Sequence, residues 1–589
     1  MKKKTSNTGN SGISKKKLIK RNNLLTLAFS LLIIILLNIA GNYLFTRFDL
    51  TTEKRYTLSP ATRDFLSNLD DAVYFQVYLE GEFPAGFKRL RNATREMLDE
   101  FRAYNDNIQY KFINPTEGRD NKSAQNLYKQ LIEKGLEPSE INQNTAEGMK
   151  KQIIFPGAIV SYRGKEMPMQ LLLSQQGTPP EQILNNSIQN LEYNMANVIR
   201  KLSVVAKQRV AFLEGQDELD KARLADIYYS LGDYYSVEFV KINGKLNSLF
   251  VRDSVHQQLV NKYAALIIAK PDSAFAEKDK YMIDQFIMRG GKVLWFVDPV
   301  YANMDSLQAN NETIGFGRNL NLDDMLFNYG VRINTNLVLD MNCMKIPVVT
   351  GEYAGQPQQS YLPWYYFPTI TPMETHPVVK NLNAIKCEFV SSIDTVGKKD
   401  IRKTILLSTS KYSRTVNTPS RISLDIMSQQ PDERFFNKPG LPVAVLLSGK
   451  FTSLYKDRLP EEILHDKEKY DFRETSEENS MIVISDGDII KNQLHYSQGY
   501  PLPLGYDQFT NQMFGNKDFV MNAVDYLCDS SGLITVRSRE LKLRMLDRAR
   551  VSKDKLSIQL LNTALPVLIV LVFGGLWIWI RKRMYARTK

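Results

Sequence analysis

Residues 209–218 read RVAFLEGQDE, an apolar run from Val210 to Leu213 that passes without a break into Glu214-Gly215-Gln216-Asp217-Glu218. A strand apolar on both faces is buried on both faces, which is the signature of a parallel sheet covered by helices. Leu219, Leu224, Ile227, Tyr228 and Leu231 follow at helical spacing. The same grammar recurs at 264–272 (AALIIAKPD) and at 292–299 (KVLWFVDP), with a further apolar strand at 237–240 and a helix over 278–288 stopped by Gly290-Gly291. Strands alternating with amphipathic helices predict an α/β fold with a doubly wound, mostly parallel sheet. Such sheets bind ligands beyond the carboxyl ends of their strands. The candidate ligand-binding residues are therefore Gly215, Gln216, Glu218, Asp272 and Asp298. Carboxylates converging there suit a sugar, a cation or a cationic peptide, and one with a raised pKa could act as a general acid. The plainer role, capping of orphan amides at strand-to-helix turns, is the commoner one.

Upstream, Ser59-Pro60 pairs an N-cap with a proline at the first helical position. A strand at 73–79, a helix over 87–104 with Leu90, Met97, Leu98 and Phe101 on one face, and a strand at 108–113 form a right-handed crossover unit. Segments 153–161 and 166–173 flank Arg163-Gly164 as a hairpin. The order predicts a thioredoxin-like α/β domain over 46–203, ending in a linking helix at 180–203. It lacks the CxxC of a redox enzyme. The doubly wound domain begins over 204–345, and 346–540 completes or follows it. Five prolines between 357 and 377 exclude a long helix there. Strands are expected at 443–447 and 481–484, a charged loop or exposed helix at 461–478, a helix at 516–528 and a charged helical lead at 541–555.

Two uncharged apolar runs, 24–45 and 556–580, lie near the chain ends. At about 1.5 Å per residue, each exceeds a hydrocarbon core ~30 Å thick. Lys2, Lys3, Lys4, Lys15, Lys16, Lys17, Lys20 and Arg21 precede the first, and Arg581, Lys582, Arg583, Arg587 and Lys589 follow the second, with no acid in either tail. These tails carry the whole net charge of +12, so the middle is nearly neutral and nucleic acid is not an expected partner. Basic flanks belong on the cytoplasmic side. The expected topology is a two-pass protein of the bacterial inner membrane, in contact with its lipid, with both termini cytoplasmic and the large middle periplasmic. A cleaved signal peptide is the rival reading of the first run. That run exceeds a typical signal core, and Asn38-Ile39-Ala40 is a poor small-x-small site.

Catalytic chemistry is mostly absent. Gly290-Gly291-Lys292 precedes Val293 and Gly449-Lys450 precedes Phe451, so neither builds a phosphate-binding P-loop, and the chain is not an ATPase. No GxSxG, HExxH or complete GxGxxG occurs. His256, His376, His465 and His495 have no partner at metal-ligand spacing, and Cys343, Cys387 and Cys528 form no disulfide or zinc pattern. No catalytic residue, metal ligand or cofactor is assigned.

Arg47-Phe48-Asp49-Leu50-Thr51, Tyr56-Thr57-Leu58-Ser59, Val210 to Gly215 ahead of Glu218, Tyr329-Gly330-Val331, His376-Pro377-Val378-Val379, Gly449-Lys450-Phe451 and Gly515 to Asn522 occur in order between the two apolar runs. Together they resemble the GldG-type auxiliary, so-called substrate-binding, subunit of the gliding-motility-associated bacterial ABC transporter. The resemblance implies a non-catalytic subunit partnered by a multi-span permease and a cytoplasmic ATPase, with a middle domain similar to class I glutamine-amidotransferase-like folds. In those enzymes a nucleophilic Cys sits on a tight turn after a strand. Here Lys270-Pro271-Asp272 stands there. The family's Gly-His-Gly-Glu becomes Gly215-Gln216-Asp217-Glu218, without the histidine. The alternative is a membrane-tethered carbohydrate-binding protein or hydrolase using Glu218, Asp272 and Asp298.

Overall fold

The computed structural model describes residues 11–43, 57–529, 532–533, 536 and 553–585, less the short segments 118–119, 146–147, 173–178, 205, 254–257, 354–355, 374–375, 398–399, 428–430 and 460–470. The chain divides into a unit of Met1–Thr57 and a unit of Leu58–Lys589. Of the first, helix α1 (Ser11–Tyr43) carries the apolar stretch Asn23–Ile39, shorter than the expected span at 24–45, whose last two residues lie outside the described ones.

The second unit opens on helix α2 (Pro60–Ser67), where the Ser59 hydroxyl accepts the Thr62 amide at 3.1 Å and Pro60 takes the first turn. Strand β1 (Val73–Val77), helix α3 (Ala85–Tyr104) and strand β2 (Ile108–Phe112) form the crossover, with β1 and β2 parallel. After helix α4 (Asn121–Glu133), β3 (Gly157–Tyr162) pairs antiparallel with β1 and with β4 (Lys165–Gln170), giving the order β2-β1-β3-β4. Arg163 and Gly164 both take positive φ, 49° and 75°, as a two-residue hairpin turn demands. The strand expected at 153–161 is interrupted at Pro156, which has no amide to donate. Residues up to Ile154 pair instead with Ser139–Thr145. The expected helix at 180–203 is two helices, α5 (Pro180–Gln189) and α6 (Leu191–Ser203), broken at Asn190. Val73, Phe75, Leu90, Phe101, Met195 and Ile199 are all completely buried in the core of this layer.

Strands β5 (Arg209–Glu214) and β6 (Ser236–Lys241) flank helix α7 (Ala225–Gly232); β7 (Ala265–Ala269), helix α8 (Glu277–Met288) and β8 (Lys292–Phe296) follow. The helix expected directly after Glu218 starts later, because 219–224 are used in turns capped by Asp220, which accepts the Arg223 amide at 2.8 Å. Strands β9 (Cys343–Tyr353) and β10 (Gln356–Ile370) make one long hairpin of the proline-rich region. Prolines are tolerated in a bulged hairpin that is extended only at Thr369–Ile370, where Ile385–Lys386 pairs with it, and Trp364 to Phe367 fix it by burying four consecutive aromatic rings in a separate core.

Strands β11 (Ile401–Ser408), β12 (Pro442–Thr452) and β13 (Thr475–Ile484) return to the central sheet, whose order is β11-β12-β13-β8-β7-β5-β6. Residues 401–484 thus supply three of its seven strands. β13 reaches back into residues expected as a charged loop: Glu477 and Glu478 are exposed at its outer end, while Met481 to Ile484 are buried. The neighbours β6, β5, β7, β8 and β13 are parallel. Numbered from β5 along the chain, they run 2-1-3-4-5, the doubly wound order whose switch point lies between β5 and β7. One face packs on α8 through Ile283 and Phe286, the other on α7 and on helix α10 (Asn516–Cys528) through Ile227, Phe519 and Val520; the short helix α9 (Asp323–Tyr329) joins the α8 face.

The lead expected at 541–555 lies largely outside the described residues. Helix α11 (Lys555–Tyr585) contains Lys555–Arg583, with a mean hydropathy of 2.3 over its most apolar window. It is the one helix among the described residues long and apolar enough to cross a membrane. Val567, Leu568, Ile569 and Val570, successive residues that together face round the whole helix, are all exposed, as lipid requires and water does not favour.

Candidate functional site

The switch point opens into a cleft of about 970 Å³, bounded by the turns after β5, β7 and β13, the inner edge of the β9–β10 hairpin and the 492–509 loop. After β5 the chain turns sharply, with Gly215 at φ +134° and Asp217 at φ +52°. Glu218 folds back, and its Oε2 accepts the amides of Gly215 and Gln216, both at 2.9 Å. Burial raises the Glu218 pKa against those hydrogen bonds, and its Oε1, buried in the cleft wall, has no hydrogen-bond partner. The buried Gln216 sends Nε2 to Asp279 at 3.3 Å, and its carbonyl accepts the amides of Asp272 (2.8 Å) and Ser273 (3.1 Å), stapling the turns after β5 and β7 together.

Asp272 is half-exposed at the rim, 2.7 Å from Arg318. Asp298 lies beneath the cleft, 3.0 Å from Lys270, and accepts the Gly487 amide. The five predicted residues therefore separate into three jobs: Gly215, Gln216 and Glu218 build the turn, Asp272 guards the edge, and Asp298 holds a lysine. They do not form a convergent set of free carboxylates.

What occupies the floor is an alternating row of charges. Lys270 lies 3.0 Å from Asp298 and 2.5 Å from Asp488, and Asp488 also holds Lys491. Lys491 is 3.5 Å from Glu388, Glu388 is 3.0 Å from Lys386, and Lys386 is 3.2 Å from Asp507. Every one of these side chains is at least four-fifths buried. Burial works against each charge, and at Lys270 and Asp488 the neighbours overcome it: Asp298 and Asp488 hold Lys270 above its ordinary pKa, while Lys270 and Lys491 hold Asp488 well below the carboxylate range. Burial wins at Asp298 and at Asp486, whose carboxyls are both pushed up. Asp486 accepts the amides of Glu388 and Asp488, each at 2.8 Å, and so ties the 386–388 segment to the turn after β13 beneath the row.

Backbone strain gathers here. Lys270 and Phe389 have φ of 56° and 52°. A left-handed backbone costs an L-residue roughly 1–2 kcal/mol, and only Asn and Asp adopt it readily. Two of the three described positive-φ residues outside Gly, Asn and Asp thus line this cleft; the third, Arg163, sits in a hairpin turn. A side chain at Gly487 would meet Lys270 Cβ at 2.5 Å, so the lysine's path requires glycine there.

Residues 207–523, more than half of the chain, match the family described as ABC-type uncharacterized transport system. The chain belongs to this family of ABC-transport auxiliary components. Residues 52–161 also match a domain of unknown function (DUF7088). An uncharacterized protein of Borreliella burgdorferi is 22% identical over 564 residues, covering 94% of this chain and 97% of that one. Among solved structures, the mmIFT52 N-terminal domain aligns at 10% identity over 55% of this chain and 98% of its own, with a TM-score of 0.30. A putative ThuA-like protein from Parabacteroides merdae aligns at 10% identity over 58% and 94%, with a TM-score of 0.23. Neither score supports an argument from fold.

In this ABC-transport auxiliary component the remaining chemistry-bearing residues have structural settings. His376 closes a turn by accepting the Val378 amide on Nδ1 at 3.3 Å, packs 4.9 Å from the Tyr526 ring, and is pushed down to about 4 by burial. His495 is stacked between Tyr496 and Tyr500; His256 and His465 lie outside the described residues. Burial raises the thiols of Cys343 and Cys528 to about 12 and lifts that of Cys387 well above its ordinary value, which makes them poor nucleophiles. Among the described residues no group of three His, Cys, Asp or Glu is arranged to hold a metal ion. The charge row was missed by sequence reasoning. Asp486-Gly487-Asp488 follows an expected strand and could have been found by the same strand-end rule, whereas Lys386 and Glu388 carry no local signal.

Proposed function

We propose that the chain is a non-catalytic, membrane-anchored, extracytoplasmic subunit of an ABC complex, docking on a separate permease served by a separate ATPase. The observation that carries this reading is where the folded body begins and ends. Leu58, just after the first apolar run, and Leu533 and Val536, on the way to α11, are all buried in the core of the first α/β layer. Both ends of this folded unit lie in one layer, and an apolar run beyond each end supplies a candidate anchor. The basic tails then favour cytoplasmic termini and a periplasmic body.

The layer order β2-β1-β3-β4 supports a thioredoxin-like scaffold over 46–203, and the 2-1-3-4-5 sheet supports an amidotransferase-like one over 204–540. Lys270 occupies the turn after β7 where such enzymes carry their nucleophile, its amine engaged by two carboxylates. A chain with no P-loop must draw ATP-driven change from a partner. The GldG-type motif order favours a role in gliding motility. Affinity purification of the full chain from native membranes, with mass spectrometry of what accompanies it, tests the reading. A permease and an ATPase are expected in stoichiometric yield. A lone, stable species would refute it, as would reporter fusions placing the body in the cytoplasm.

A further inference from the structure

We infer that the cleft at the β5/β7 switch point binds a neutral, polyhydroxylated ligand, an oligosaccharide, along its row of charges. The inference concerns the cleft alone and stands whether or not the chain assembles with a transporter. The cavity, about 970 Å³, suits a ligand of several sugar rings.

The charge row decides the ligand class. Each of its three lysines is held between two carboxylates: Lys270 by Asp298 and Asp488, Lys491 by Asp488 and Glu388, Lys386 by Glu388 and Asp507. An anionic ligand would have to displace a carboxylate from a buried ammonium, and a cationic one would have to displace an ammonium from a buried carboxylate. Either leaves a stranded charge in a poorly solvated site, the costliest outcome for an ion pair. A hydroxyl group is both donor and acceptor, so it can join carboxylate lone pairs and ammonium protons without breaking a pair. A run of hydroxyls is complementary to a run of alternating donors and acceptors.

The walls fit the same ligand. The Tyr301 ring is partly exposed at the rim, stacked at 5.1 Å on Phe316 and held beneath Arg318, and Phe509 is exposed on the other side. Rigid aromatic faces stack on the apolar faces of sugar rings. The unpartnered Glu218 Oε1 in the wall offers one more hydrogen-bonding atom. The strained backbones at Lys270 and Phe389 are the mark of a site kept for function rather than stability.

The test uses the detergent-purified full chain and isothermal titration with chitotetraose, cellotetraose and maltotetraose, beside inorganic phosphate and tetralysine. Saturable binding of at least one neutral tetrasaccharide is expected. Tyr301→Ala and Phe509→Ala, both at the rim and outside the row, should each weaken it by ~2- to 12-fold, the value of an aromatic contact. Because rim substitutions spare the core, unchanged urea midpoints will accompany the loss. Failure of all three sugars at millimolar concentration overturns the inference. So does tighter binding of phosphate or tetralysine, or sugar binding that both rim variants leave unchanged.

Discussion

Replacing Lys270 by Met removes one charge from the row while keeping the side-chain length and the left-handed backbone. Lys270 bridges Asp298 at 3.0 Å and Asp488 at 2.5 Å with a side chain 17% exposed. Asp488 keeps Lys491, so the stranded group is Asp298, which retains only the Gly487 amide. Breaking a buried pair from one side costs about 3–5 kcal/mol. Asp298 has an escape, because burial already raises its pKa above the ordinary 3.8, and losing Lys270 raises it further. A carboxyl with a raised folded pKa binds a proton in the folded state that the unfolded state releases, so stability is regained as pH falls toward that pKa.

The expected result is a loss of about 3 kcal/mol at pH 8 that shrinks by at least half at pH 5. With an m-value of ~3 kcal/mol/M, the urea midpoint falls by roughly 1 M at pH 8. Pulse proteolysis of the detergent-solubilised full chain in a urea series reads it. Adding Asp298→Asn to Lys270→Met should restore most of the loss at pH 8, since the amide oxygen can still accept from Gly487. An unchanged midpoint for Lys270→Met at pH 8, a loss independent of pH, or a further loss on adding Asp298→Asn would refute the reasoning.

Glu218→Gln preserves an acceptor for the Gly215 and Gln216 amides and should shift stability by less than ~0.5 kcal/mol, while Glu218→Ala should cost ~1–2 kcal/mol by urea denaturation. His376 has its pKa pushed down from 6.5 to about 4, so the unfolded chain gains a proton that the folded chain refuses as pH falls through that window. Its contribution, ~1–2 kcal/mol after allowing for partial exposure, is present above pH 6.5 and lost toward pH 4, and His376→Phe should flatten that part of the stability-against-pH curve. Iodoacetamide at pH 8 should modify the native thiols at least ~100-fold more slowly than the urea-unfolded ones, because burial holds Cys343 and Cys528 near 12. Mass spectrometry of the quenched reaction gives both rates.

The elements legible in the sequence were those whose own residues settle them. The apolar strand at Val210 to Leu213, the Arg163-Gly164 turn, the Ser59-Pro60 cap and the helix Asn516–Cys528 each rest on period, β-branching or turn chemistry that no distant contact overrides. The misread elements depend on partners far along the chain. Thr475 to Glu478 read as loop because three of their four side chains face water, yet β12 supplies the ladder that makes them strand. The proline-rich hairpin is held by the burial of Trp364 to Phe367, which a count of prolines does not see. The site divides in the same way. Of the residues the strand-end rule singled out, Glu218 and Asp272 line the cleft while Gly215, Gln216 and Asp298 lie in the turns around it, and the rule ranked isolated carboxylates and overlooked the lysines that neutralise them.

That neutralisation bears on what the tight turn after β7 does in a transport-system component. A tight turn with φ near +56° points its side chain out of the sheet into the cleft, where a nucleophile would be useful. Lys270 keeps the geometry and removes the reactivity, because two carboxylates hold its amine protonated and engaged. The same side chain ties the turn after β7 to those after β8 and β13, through Asp298 and Asp488. Lys491 and Lys386 extend the tie to the 386–388 segment and to Asp507 in the 492–509 loop. A ligand lying on such a row would touch segments separated by more than two hundred residues in sequence. Its binding would therefore be felt as a change in how those loops are held, which is the output expected of a subunit that reports to a partner rather than one that transforms a substrate.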